Sequence, residues 1–172
     1  MNKIIGIMMG SDSDLPIMKE ACQLLEEVEI DYELTVISAH RTPERAREYA
    51  LKAESNQIGV IIAGAGKAAH LPGVIAASTN LPVIGVPIRT STLGGADSLY
   101  SMVQMPGGVP VATVALNGAK NAAILAIQIL ALSDDKMRDK LIEYKDKMRI
   151  NVNKTAEELN DLGYKKYLEE YF

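Results

Sequence analysis

The chain contains two histidines, His40 and His70. His40 stands in Ser38-Ala39-His40-Arg41-Thr42-Pro43, and His70 closes Gly64-Ala65-Gly66-Lys67-Ala68-Ala69-His70. An imidazole gives and takes a proton near neutral pH. The neighbouring guanidinium of Arg41 can hold a phosphate through a fork of N–H donors. On the residues alone, His40 is either a proton-transfer group or a loop histidine bonding a carbonyl. His70, at a helix start, reads first as a capping or subunit-packing residue. A third segment, Gly10-Ser11-Asp12-Ser13-Asp14, offers two hydroxyls just before a helix. Free backbone N–H groups and the positive dipole end of that helix point at the same space, so a phosphate fits there. Asp12 and Asp14 would repel a phosphate set directly on them, and one of them is better suited to ribose hydroxyls. Ser13 or Asp14 also reads as a helix N-cap.

Other chemistries find little support. The segment is neither GxGxxG nor a Walker A loop, and no GxSxG, HxH or HExxH spacing occurs. Two histidines could in principle pair on a metal, but nothing in their spacing calls for one. The single cysteine, Cys22, cannot make an internal disulfide or a multi-cysteine zinc site. It sits beside an apolar helical stripe and reads as a core residue.

These segments would share one place if they leave the carboxyl ends of buried parallel strands. Apolar or β-branched runs at 3–9, 32–37, 59–63, 83–86 and 110–115 predict five strands. Most are continuous rather than alternating, as expected for strands covered on both faces. Helices are predicted over 15–28, 43–55, 69–79 and 94–102. In the first, Ile17, Met18, Ala21, Leu24, Leu25 and Val28 form one apolar stripe. Thr42-Pro43-Glu44 reads as an N-cap, a first-turn proline and a dipole-matched carboxylate. Alternating strands and helices predict an α/β three-layer sandwich with right-handed crossovers. Ligands of such sheets bind beyond the carboxyl strand ends. Pro87-Ile88-Arg89-Thr90-Ser91-Thr92 leaves a fourth such end.

The chain of 172 residues fits one domain with a sizeable core. Charge density rises sharply after residue 133, which predicts a catalytic unit over 1–133 and a charged helical extension over 134–172. The extension is expected to pack on the core or on a neighbouring subunit. The run at 121–132 is apolar on all sides, so a sheet face cannot cover it alone. Another copy of the chain or the folded-back tail must complete the cover, and the small alanines favour another copy. The net charge of −4 and the 5% aromatic content, with no Trp, argue against a nucleic-acid-binding module. No leader-like N-terminus or membrane-length apolar run is visible, and the reading is a cytoplasmic protein with no membrane partner.

In order along the chain, Gly10-Ser11-Asp12-Ser13-Asp14, Ser38-Ala39-His40-Arg41-Thr42-Pro43, Ala63-Gly64-Ala65-Gly66 with Ala68-Ala69-His70-Leu71-Pro72-Gly73, Asp97-Ser98-Leu99-Tyr100-Ser101 and Gln104-Met105-Pro106-Gly107-Gly108-Val109-Pro110-Val111 resemble the N5-carboxyaminoimidazole ribonucleotide mutase family of purine biosynthesis. The resemblance runs from about residue 3 to about residue 133. It implies a flavodoxin-like five-stranded parallel sheet with helices on both faces and a C-terminal helical extension, assembled as a homo-octamer. It implies isomerisation of N5-carboxyaminoimidazole ribonucleotide to 4-carboxyaminoimidazole ribonucleotide, with no metal and no organic cofactor. It assigns His40 as general acid and base. It makes Ser11, Ser13, Asp14, Ser38, Arg41, Gly66, Ala68 and His70 substrate-binding residues for an aminoimidazole ribonucleotide. A related branch carboxylates aminoimidazole ribonucleotide directly with CO2, and is expected to replace the Ala-Ala-His-Leu-Pro-Gly stretch kept here. A non-catalytic module binding a phosphorylated metabolite would need the loops without an ionisable group at position 40. One departure stands out: Lys67 occupies a position where the family commonly has glycine. Either the turn differs there, or the position never required a positive φ; a cation at this place could also touch the substrate carboxylate.

Overall fold

The computed structural model describes residues 3–172. Five parallel strands make one sheet: β1 (Ile4–Met9), β2 (Tyr32–Val36), β3 (Ile58–Gly66), β4 (Val83–Ile88) and β5 (Ala112–Thr113). Their spatial order is β2-β1-β3-β4-β5, the flavodoxin-like winding, whose strand order reverses between β1 and β3. Five helices connect or follow the strands: α1 (Leu15–Glu27), α2 (Pro43–Lys52), α3 (Leu71–Ala76), α4 (Ala96–Val103) and α5 (Ala119–Leu130). The last element, α6 (Asp135–Tyr171), is the C-terminal extension.

Burial on both faces explains the apolar strands. Alternate residues of β1 point to opposite sides, so Ile5, Ile7 and Met9 meet the layer of α1, α5 and the start of α6. Met8 belongs to the opposite layer, with Ala46 and Ala50 of α2 and Leu71 and Ile75 of α3. Gly6 is small because α2 lies close: a Cβ there would stand 2.6 Å from the Tyr49 hydroxyl. That hydroxyl is buried with no hydrogen-bond partner among the described residues.

Several elements depart from their predicted limits for local reasons. β3 runs on through Gly64, Ala65 and Gly66, whose register with Val86, Pro87 and Ile88 continues the ladder past the apolar run. β5 shrinks to two residues at the sheet edge, where Pro110 has no N–H to give. α4 begins at Ala96 because Gly95 takes φ 99°. α3 begins only after His70, whose backbone N–H turns back onto the Ala68 carbonyl.

The apolar helix α5 is covered on one side by the sheet and α1. The start of α6 adds cover from the tail, with Met137 and Tyr144 buried in the same cluster. Beyond Tyr144 the extension departs from the core. Ile150, Val152 and Leu159 are exposed, and the helix breaks at Gly163, where φ is 71°. Among the described residues no helix is long and apolar enough to cross a membrane.

Candidate active site

The carboxyl ends of β1 and β3 meet where the strand order reverses, and the chemistry-bearing segments converge there. Gly10 leaves β1 with its N–H bonded to the Gly64 carbonyl at 3.1 Å. The chain then makes a single 3-10 turn over Asp12–Asp14. Ser11 caps it, accepting from the Ser13 N–H at 3.3 Å. The hydroxyls run in a chain, Ser13 donating to Ser11 at 3.0 Å and Ser11 to the Asp12 carboxylate at 3.1 Å. The N-cap is therefore Ser11, and Asp14, which precedes α1, makes no side-chain cap bond. Asp14 is buried, and burial pushes its carboxyl above the ordinary aspartate range; Arg41 and a Ser11 backbone hydrogen bond pull the other way.

The loop after β2 is laced to this one. Arg41 donates from its backbone N–H and from Nε to the Ser38 hydroxyl, each at 3.2 Å. Its Nη2 donates to the Gly10 carbonyl at 2.8 Å. Thr42 does not cap α2 with its side chain. Its hydroxyl instead closes the loop on Ser38, accepting from the backbone N–H at 3.1 Å and donating to the carbonyl at 3.0 Å. The short turn holds His40 at the strand mouth.

The loop after β3 brings the second histidine to the first. Nε2 of His40 and Nδ1 of His70 stand 2.9 Å apart, with the rings edge-on at 76° and centroids 5.0 Å apart. One ring must donate and the other accept, so each fixes the tautomer of the other. His70 makes no side-chain cap to α3; its nitrogen is spent on His40. Among the described residues no His, Cys, Asp or Glu joins the pair to complete a group of three able to hold a metal ion. Lys67 takes φ 56°, so the position does use the left-handed region and a lysine occupies it. Gly66 is small because a Cβ would come within 3.1 Å of the Thr90 methyl on the exit of β4.

A cleft of about 740 Å³ joins these loops, a size suited to a nucleotide-like ligand. The structure brings all nine sequence-predicted positions to its wall: Ser11, Ser13, Asp14, Ser38, His40, Arg41, Gly66, Ala68 and His70. It adds Lys67, the cation that could meet the substrate carboxylate, and Arg89, Thr90 and Ser91, to which sequence reasoning gave no binding role. The signal for the last three was their place at a strand end. An adjoining recess of about 450 Å³ shares Ser11, Ser38 and Arg41 and adds Arg45 one helical turn on. Cys22 lies away from the cleft, buried against α1's own Met18 carbonyl, and burial pushes its thiol up.

The fold and cleft define a flavodoxin-like α/β protein with an open cleft at its switch point. Residues 4–151 match the family described as AIR carboxylase. The chain is 62% identical to the N5-carboxyaminoimidazole ribonucleotide mutase of Thermotoga maritima, over 95% of this chain and 96% of that protein. It is 54% identical to the phosphoribosylaminoimidazole carboxylase of Candida glabrata, over 96% of this chain but only 29% of that longer protein. A crystal structure of Treponema denticola PurE superimposes with a TM-score of 0.81 at 29% identity, covering 94% of this chain and 99% of that one. This chain belongs to the AIR carboxylase family.

Proposed function

We propose that the protein is an N5-carboxyaminoimidazole ribonucleotide mutase of purine biosynthesis, producing 4-carboxyaminoimidazole ribonucleotide without a cofactor. The observation that carries this reading is the His40–His70 contact inside the same cleft as Arg41 and the serine turn. Ser11, Ser13 and Arg41 receive the 5-phosphate; the first backbone N–H groups of α1 are not available, because that of Leu15 turns back onto the Asp12 carbonyl and Pro16 has none. Asp14 accepts from ribose hydroxyls, and Ser38 holds Arg41 in place. The imidazole of the substrate then lies towards His40, with Gly66, Ala68 and His70 around it.

The reaction breaks the bond between the exocyclic nitrogen and the carboxyl carbon. His40 gives a proton to that nitrogen as CO2 leaves. The ring carbon attacks the same CO2, and His40 takes back the proton that this carbon sheds. The protons balance, so one histidine serves both steps. His70 fixes the tautomer of His40. Holding CO2 beside the ring supplies the proximity contribution, several kcal/mol in well-placed intramolecular reactions, on the order of 10⁵ M or more in effective concentration.

That pocket must be dry, yet His40, His70 and Ala68 are all exposed in the single chain. α6 likewise leaves Ile150, Val152 and Leu159 exposed. Both features support assembly into an oligomer, for which we propose an octamer, in the cytoplasm, with neighbouring copies closing the cleft.

The decisive assay presents N5-carboxyaminoimidazole ribonucleotide to purified protein without ATP. Ring-carboxylated product at low bicarbonate is expected. Turnover of aminoimidazole ribonucleotide that depends on bicarbonate would favour the direct carboxylase, the activity named for the fungal relatives. Binding without turnover would leave a ligand-binding module.

A further inference from the structure

We propose that Lys67 and Arg89 form a second anion subsite in the cleft, which takes the migrating carboxylate of the substrate rather than its phosphate. The proposal rests on the mutase reading above and assigns a part of it that the serine turn and Arg41 do not explain.

The two residues are neighbours by construction. Gly66 and Ile88 are register partners on β3 and β4, the last residues of their strands. Lys67 and Arg89 are therefore the first residues past two adjacent strand ends, roughly 4.8 Å apart in the hydrogen-bonding direction. Both line the cleft.

Neither cation is neutralised. No carboxylate among the described residues lies within 4.0 Å of Lys67 Nζ or the Arg89 guanidinium. Neither side chain donates a hydrogen bond among the described residues, where Arg89 donates only through its backbone N–H. The nearby Asp97 carboxylate faces the Thr90 hydroxyl, at 3.4 Å through either oxygen. Asp14 is the one carboxylate on the cleft wall among the described residues, against the cations Arg41, Lys67 and Arg89. A chain of net charge −4 thus concentrates positive charge here.

The backbone holds both residues to this place. Lys67 is kept at φ 56°, where a glycine would sit without cost. Arg89 is fixed by its N–H to the Asn117 side chain at 2.9 Å, and Asn117 itself has φ 58°. Strain retained under an unpaired charge points to a ligand. Arg41, by contrast, is laced to Gly10 and Ser38 at the β1 and β2 ends, beside the phosphate-suited turn. Lys67 opens the loop that ends at His70, the histidine touching His40. The negative group nearest those rings is the carboxylate that moves.

The test compares ligands with and without that carboxylate. Lys67→Gly, Arg89→Gln and the double variant are titrated with 4-carboxyaminoimidazole ribonucleotide and with aminoimidazole ribonucleotide. Affinity for the carboxylated nucleotide is expected to fall about tenfold or more in the double variant, while that for the uncarboxylated one stays within about twofold. Lys67→Arg should retain the discrimination, which separates charge from backbone effects. Equal losses for both ligands would place the cations on the phosphate and overturn the proposal, as would no loss for either. A wild-type protein that turns over the carbamate but shows an unchanged affinity ratio in the double variant sinks this subsite alone. A wild-type protein without turnover sinks the mutase reading.

Discussion

The two sides of the cleft are held in opposite ways. At the β1 and β2 ends the polar side chains satisfy one another: Ser13, Ser11 and Asp12 in a chain, and Arg41, Ser38 and Thr42 in a closed loop. At the β3 and β4 ends the backbone is strained at Lys67, and two cations stand without side-chain partners among the described residues. The first side is organised before any ligand arrives, and its donors need not reorder to bind. The second side holds charge in reserve for something that arrives with the ligand. His40 and His70 bridge the two sides, one ring from each. A binding group that must be the same in substrate and product suits the laced side; a group that changes position suits the open one.

Substitutions can break or sharpen this contrast. The largest effect is expected where the sides meet. His40→Asn should keep nucleotide binding and lower turnover by about 10²–10⁴-fold; near-normal steady-state activity would remove His40 from the chemistry. On the laced side, Arg41→Met should raise the KM or Kd of carboxylated and uncarboxylated nucleotides alike, by about tenfold or more. It should also loosen the loop after β2, read as faster amide exchange at residues 38–42. An effect on only the carboxylated ligand would reverse the assignment of the sides.

Asp14 gives a pH test. Its folded-state carboxyl titrates higher than in the unfolded chain because it is buried. The folded protein then binds the proton more tightly, so this group costs stability as pH rises through and above that window. Asp14→Asn should be more stable than the parent at neutral pH in urea denaturation, with the gain shrinking as pH falls through the raised folded-state range and gone once pH is below the ordinary aspartate value. It should bind ribonucleotides more weakly. A gain that persists undiminished at acid pH would contradict burial as the cause.

The smallest effect lies on the open side. Lys67→Gly relieves a left-handed residue and should stabilise the fold by about 1 kcal/mol or less, seen as a small rise in Tm. Loss of stability would mean that the lysine side chain packs rather than waits.

Much of this arrangement was legible before folding. The strands β1 and β2 and the helix α1 fall within a residue or two of their predicted limits, because their apolar spacing follows burial directly. The strand-end rule collected all four loops of the cleft. Other features were not legible, since they depend on how loops curl. Gly64-Ala65-Gly66 reads as a loop by composition, yet continues β3 because β4 supplies its partners. Thr42 reads as a cap, yet its hydroxyl finds Ser38 first. No spacing reveals that residues 40 and 70 touch at 2.9 Å, or that Arg89 stands beside Lys67, for both are products of sheet register. The tail was legible as a charged helix; how far it would leave the core was not, since only Met137 and Tyr144 are buried along it.

The left-handed backbone at position 67 also acts as a filter on what evolution can try there. Branched residues such as valine, isoleucine or threonine are sterically penalised at that φ, while glycine, asparagine and aspartate enter most easily. Glycine removes the charge and aspartate inverts it. A lineage that drifts at this position therefore passes from a positive cleft to a neutral or negative one with few intermediate stops, and a single codon can retune which ligand ion the protein prefers.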